Sequence, residues 1–175
     1  MLSKTRSIGT HAMNAPSAFT ISIQTVDFDL GAELTALRAQ DRRVGALCSF
    51  VGLVRDHNDG DAVGSLELEH YPGMTEKAIQ TMVDEAFARF PIYAVRVIHR
   101  VGLLQPCEQI VLVAVTAAHR GPSFQACEFL MDYLKTQAPF WKKEQTPQGA
   151  RWVDARVSDD AALARWGIAA RNAGG

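Results

Sequence analysis

Read for alternation, the chain breaks into short stretches of period two separated by stretches of helical period. Phe19 to Val26 alternates as a strand, and Leu30, Leu34 and Leu37 recur at helical spacing as far as about Ala39. Val44 to Val54 (VGALCSFVGLV) is mostly apolar and predicts a central strand, with an irregularity at Gly52. Arg55 to Asp61 is a polar loop with turn chemistry in Asn58, Asp59 and Gly60. From Ser65 to Tyr71, Leu66, Leu68 and His70 fall on one face and Glu67, Glu69 and Tyr71 on the other. Thr75-Glu76-Lys77 opens a helix that Pro91 stops near Phe90. Val95 to Val101 and Gln109 to Ala117 are two more strands, joined through Gly102 and Pro106. The second is apolar throughout, as a strand covered on both faces would be.

The next helix follows Gly121-Pro122-Ser123, a start that tolerates proline because its N–H has no partner there. It ends where Pro139 disfavours α geometry at Ala138. Arg151 to Val157 reads as a short strand, and Ser158-Asp159-Asp160 caps a last helix over about Ala161–Ala170. Strands interspersed with three or four helices, with hairpin-like neighbours, predict an α+β fold with a mixed or antiparallel sheet. Residues 1–18 read as a disordered leader, 19–170 as one domain and 171–175 as a frayed tail.

Composition narrows the function classes. Among 175 residues, 47% are hydrophobic and 21% charged, ordinary values for a globular protein. A net charge of −1 provides no global field for nucleic acid or anionic membrane, so any basic site is local. Ile110 to Val115 is the longest clean apolar run, too short to span a bilayer. Cys48, Cys107 and Cys127 are odd in number and widely spaced, which suits reduced thiols in the cytoplasm and offers no metal-ligand spacing.

Candidate chemistry gathers at the two ends of the helix that Pro139 closes. His119 and Arg120 stand where a strand meets the helix N-terminus, where free N–H groups and the dipole favour an anion. Lys135 projects from the edge of the buried stripe, one turn beyond Met131. It is either a snorkelling lysine or a partly desolvated amine of use in acid–base work. In the extended run after Pro139, Phe140, Lys142 and Glu144 point one way and Trp141 and Lys143 the other. Lys142 can then join Lys135 around one cavity, while a solvated Lys142-Lys143 pair is the plainer alternative. The 15 residues from Arg120 to Lys135 span roughly 22 Å of helix, so one small ligand cannot touch both ends in one copy. If both serve one pocket, a homodimer shares it.

Longer blocks carry a resemblance: GLVRDH (Gly52–His57), LEHYPGMTEK (Leu68–Lys77), VIHRVG (Val97–Gly102), TAAHR (Thr116–Arg120), MDYLKTQAPFWKKE (Met131–Glu144) and RWVDAR (Arg151–Arg156). The chain resembles the large, catalytic subunit of molybdopterin synthase. The resemblance implies an α/β hammerhead-type fold with an added antiparallel sub-sheet. It implies a sulfurtransferase that inserts two sulfurs into cyclic pyranopterin monophosphate. The sulfur donor would be a small ubiquitin-like subunit ending in a Gly-Gly thiocarboxylate, bound at each outer end of a large-subunit homodimer, with no metal or other cofactor. Carried over residue by residue, Lys135 and Lys142 match catalytic lysines, and Arg55, His119, Arg120, Lys143, Glu144 and Arg156 match substrate-binding positions. Leu53 stands where many relatives have lysine, and Asp56 where asparagine is common. Two other classes stay open: a non-catalytic subunit that keeps the fold, and a phosphate-ester enzyme built on the His-Arg site. The Gly174-Gly175 end reads as an ordinary tail rather than a sulfur carrier.

Overall fold

The computed structural model describes residues 18–58, 61–153 and 164–168. Its larger sheet combines β1 (Phe19–Gln24), β2 (Ala46–Leu53), β6 (Ile92–Arg100) and β8 (Gln109–Ala117) in the order β1-β6-β8-β2. The β1–β6 pair is parallel and the other two are antiparallel. Between β2 and β6 in sequence lie the short β3 (His57–Asn58) and β4 (Asp61–Ala62), which pair with each other, and β5 (Ser65–His70). A second, wholly antiparallel sheet joins β5 to β7 (Gly102–Leu104), β9 (Phe140–Thr146) and β10 (Gly149–Val153) in the order β10-β9-β5-β7. Three helices complete the fold: α1 (Leu30–Arg38), α2 (Met74–Arg89) and α3 (Arg120–Gln137). This is the α+β arrangement that the sequence pattern predicts, with the added antiparallel sheet that the resemblance implies.

Alternation along β6 and β8 sorts their side chains into two cores. Val95, Val97, Val111, Val113 and Val115 face α2 and α3, meeting Ile79, Met82, Phe129 and Leu130. Ala94, Ile98, Leu112 and Ala114 face the other way, against Phe28 and Leu37 of the α1 region. Helices on both faces explain why β8 is apolar from end to end. A third cluster, Val54, Leu66, Leu68 and Leu104, lies under the second sheet, where the alternation of β5 places its leucines.

One strand differs from its sequence reading. The apolar run at 44–54 suggests a central strand, but β2 is the edge of its sheet, with Phe50 and Leu53 exposed. Apolar composition signals that a strand has cover without saying which surface supplies it. The irregularity at Gly52 is real: the β2–β8 register shifts between Gly52 and Leu53, and a Cβ there would sit 2.7 Å from Val111 Cγ1. The linker through Gly102 contains the three-residue β7, too short to show a period.

Local chemistry fixes the helix ends. Glu76 Oε2 accepts from the Gly73 N–H at 2.6 Å at the start of α2, where Gly73 has φ +83°. Ala138, before Pro139, is extended and ends α3. Thr75 Oγ1 donates to the Pro139 carbonyl at 3.1 Å, tying the α3–β9 junction to α2. At 164–168 the chain returns to α3: Trp166 Nε1 donates to Asp132 Oδ2 at 2.8 Å, and the indole meets Phe129 and Phe90 edge-on. The predicted capping residues Ser158-Asp159-Asp160, half of the predicted final helix, residues 1–17 and the Gly174-Gly175 end lie outside the described residues, and the described part of that helix, 164–168, is a turn.

Candidate active site

A cavity of about 740 Å³ opens between the end of α3, the irregular end of β2 and strand β9. That volume suits a ligand larger than a single ring, within the usual range for small-molecule sites. Lys135 reaches it from the last turn of α3 and Lys142 from β9. Both are exposed, so their ammonium groups stand at a wet mouth. Arg55, just past β2, supplies a third cation, and Met131, Leu134 and Ile110 supply apolar wall. The side-chain alternation expected after Pro139 holds. Phe140, Lys142 and Glu144 line the cavity, whereas Lys143 turns to the opposite face, 3.9 Å from Glu67 and over the Trp152 ring.

Glu144 is 6% exposed, a carboxylate inside a basic site. Its Oε1 accepts from Asn58 Nδ2 at 2.8 Å and its Oε2 from Arg151 at 3.1 Å. Asn58 Oδ1 in turn accepts from Arg55 Nη2 at 2.9 Å. The chain Arg151–Glu144–Asn58–Arg55 therefore joins β10, β9 and β3 to the arginine at the cavity. Glu144 thus positions Arg55 through Asn58 while satisfying its own buried charge. The sequence suggests only turn chemistry for Asn58. The partner that makes it an anchor lies 86 residues away, beyond the reach of any local pattern.

His119 and Arg120 begin α3 at the end remote from Lys135; both are exposed and neither lines the cavity. His119 is the extended N-cap residue and makes no side-chain cap bond, which leaves the first-turn amides open to an anion. Arg156 lies outside the described residues. Leu53, at the position where lysine is common, lines the cavity and is 52% exposed. No cluster of three or more His, Cys, Asp or Glu side chains suited to a metal occurs among the described residues.

His99 is also on the wall, at a position that no local sequence pattern marks as part of a site. Its ring stacks on Phe140, with centroids 3.7 Å apart and planes at 14°. Burial pushes its pKa down from 6.5 to about 4, opposed by the bond to the Arg100 carbonyl and aided by the charges of Lys142 and His70. The folded protein thus holds this imidazole neutral where the unfolded chain would protonate it. Its contribution to stability is complete above about pH 6.5 and is lost as pH falls toward 4, a loss of roughly 3 kcal/mol. Denaturant titrations of wild type and His99→Phe across that window measure it. The wild type is expected to lose stability more steeply, and parallel curves would refute the assignment.

Comparison with known proteins places this geometry in an enzyme class. A family model described as "MoaE protein" matches residues 23–137. A molybdopterin synthase catalytic subunit of Ralstonia nicotianae is 64% identical over 154 residues, covering 88% of each chain. The solved molybdopterin biosynthesis MoaE protein of Burkholderia ambifaria superposes with a TM-score of 0.74 at 62% identity, covering 85% of this chain and 98% of that one. The molybdopterin synthase structure of Staphylococcus aureus gives 0.69 at 30% identity, over 75% and 95% of the two chains. The chain belongs to the MoaE protein family.

Proposed function

We propose that the cavity between α3 and β9 is where this molybdopterin synthase catalytic subunit transfers sulfur. The substrate is a cyclic pyranopterin monophosphate, and the donor is the Gly-Gly thiocarboxylate of a small ubiquitin-like partner. The observation that carries the reading is the convergence of Lys135 and Lys142, from different elements, on one cavity with Arg55. Attack of the thiocarboxylate sulfur on a pterin carbon builds negative charge on the pterin oxygen. Hydrolysis of the resulting thioester by water, which leaves the sulfur on the pterin and returns the carrier as its carboxylate, builds it on the acyl oxygen. Two ammonium groups at the mouth can neutralise that charge and move protons. The apolar wall of Met131, Leu134 and Ile110 suits the flat heterocycle.

In this reading the phosphate binds to His119 and Arg120 of a second copy of the chain, together with Arg55. The length of α3 supports that division, since 15 residues separate Arg120 from Lys135, roughly 22 Å along the helix axis. Lys143, Glu144 and Arg156 complete the binding segment, Glu144 through its hold on Arg55. The working unit is residues 19–170, acting as a homodimer with one small subunit at each outer end. It acts in the cytoplasm and needs no metal or other cofactor, because the sulfur arrives already activated. No helix among the described residues is long and apolar enough to cross a membrane.

The test is reconstitution of the full chain with thiocarboxylated small subunit and the pterin monophosphate. Dithiolene product dependent on the protein donor is the expected result. Binding of the partner without product would favour a non-catalytic relative, and Leu53 in place of lysine is the sequence feature in its favour.

A further inference from the structure

The cavity contains one ring whose chemistry the sulfur-transfer reading leaves unused. His99 is 5% exposed yet lines the cavity. Its Nδ1 lies 2.8 Å from the Arg100 carbonyl oxygen. A carbonyl only accepts, so Nδ1 carries the proton and Nε2 keeps its lone pair. The flat stack on Phe140, two residues before Lys142 on β9, holds the ring in that orientation. Among the described residues the buried side-chain polar atoms without a partner are Thr116 Oγ1 and Gln137 Nε2, so His99 Nε2 is not sealed in the core. With Nδ1 engaged by the Arg100 carbonyl, Nε2 is the ring nitrogen available to a ligand in the cavity that His99 lines.

Asn58 Oδ1, which also lines the cavity, already accepts from Arg55, so His99 is the side-chain acceptor that the other lining groups leave available. Lys135, Lys142 and Arg55 only donate, which suits phosphate and oxyanions. Glu144 accepts, but both its oxygens are engaged by Asn58 and Arg151. A pterin ring presents N–H edges, and burying a donor without an acceptor is costly. A neutral imidazole meets that need without drawing the lysines away from the reacting groups.

We propose that His99 is a substrate-positioning residue whose Nε2 accepts a hydrogen bond from a ring N–H of the bound pterin. The proposal rests on the reading of the cavity as the pterin site, and the experiment separates the two. Absence of product from the reconstituted wild type would remove the site reading itself. With wild type active, His99→Asn keeps a donor for the Arg100 carbonyl and removes the Nε2 acceptor. The KM for the pterin is then expected to rise about tenfold with kcat within about twofold. His99→Gln, whose amide oxygen reaches toward the Nε2 position, is expected to recover part of that loss. An unchanged KM in a folded His99→Asn protein overturns the proposal.

A second measurement needs no variant. In wild-type protein carrying ¹⁵N-labelled histidine, pterin monophosphate added without the small subunit is expected to shift the His99 Nε2 resonance and leave Nδ1 in place. No shift, or a shift that arrives only with the small subunit, also overturns it.

Discussion

Lys135→Ala is expected to give a folded protein with almost no turnover. Lys135 lies in the last turn of α3 and is exposed, so its removal leaves no hole among Met131, Leu134 and Phe129. The structural cost is the loss of a cation near the helix C-terminus, about 0.3–1 kcal/mol, partly offset by the helix preference of alanine. The chemical cost is far larger. Losing a positioned charge that stabilises a developing oxyanion commonly lowers kcat by about 100- to 1,000-fold. Thermal melting together with single-turnover sulfur transfer separates the two effects. A variant that melts like wild type and still turns over would remove Lys135 from the mechanism.

Glu144→Ala should fail in the opposite manner, through structure first. It removes the carboxylate that Asn58 and Arg151 share and so loosens the residue that holds Arg55. Arg151 is part-exposed and keeps its bond to the Asn58 carbonyl, so the loss is that of hydrogen bonds to a charged group, about 1.5–3 kcal/mol, and a clear fall in denaturant midpoint is expected. Turnover should fall with it, mainly as a higher KM for the pterin, because Arg55 is displaced rather than removed. Glu144→Gln keeps an acceptor for Asn58 and should lie between the two. Equal stability of wild type and Glu144→Ala would show that the network contributes nothing to the fold.

How far the sequence discloses this protein depends on the range of each interaction. The leucines of β5, the buried β8 and both ends of α3 follow from spacing and proline chemistry within a few residues. So does the division of β9, with Lys142 toward the cavity and Lys143 away from it. The edge position of β2 is not legible, because apolar side chains at 44–54 report a need for cover without naming the neighbour. Nor are Asn58 and His99, each given its role by long-range contacts: Asn58 by Glu144, and His99 by Phe140, across strands distant in the chain. Long, specific blocks such as LEHYPGMTEK carry the family membership, and charge or composition alone would not have reached it.

The most direct test of a site shared between protomers is subunit complementation. Arg120→Ala and Lys135→Ala chains, each inactive alone, are unfolded and refolded together in equal amounts. Random pairing makes about half the dimers mixed, each with one intact site of two, so about a quarter of wild-type turnover is expected. Turnover no higher than that of the separate variants would mean that both ends of α3 do not serve one substrate.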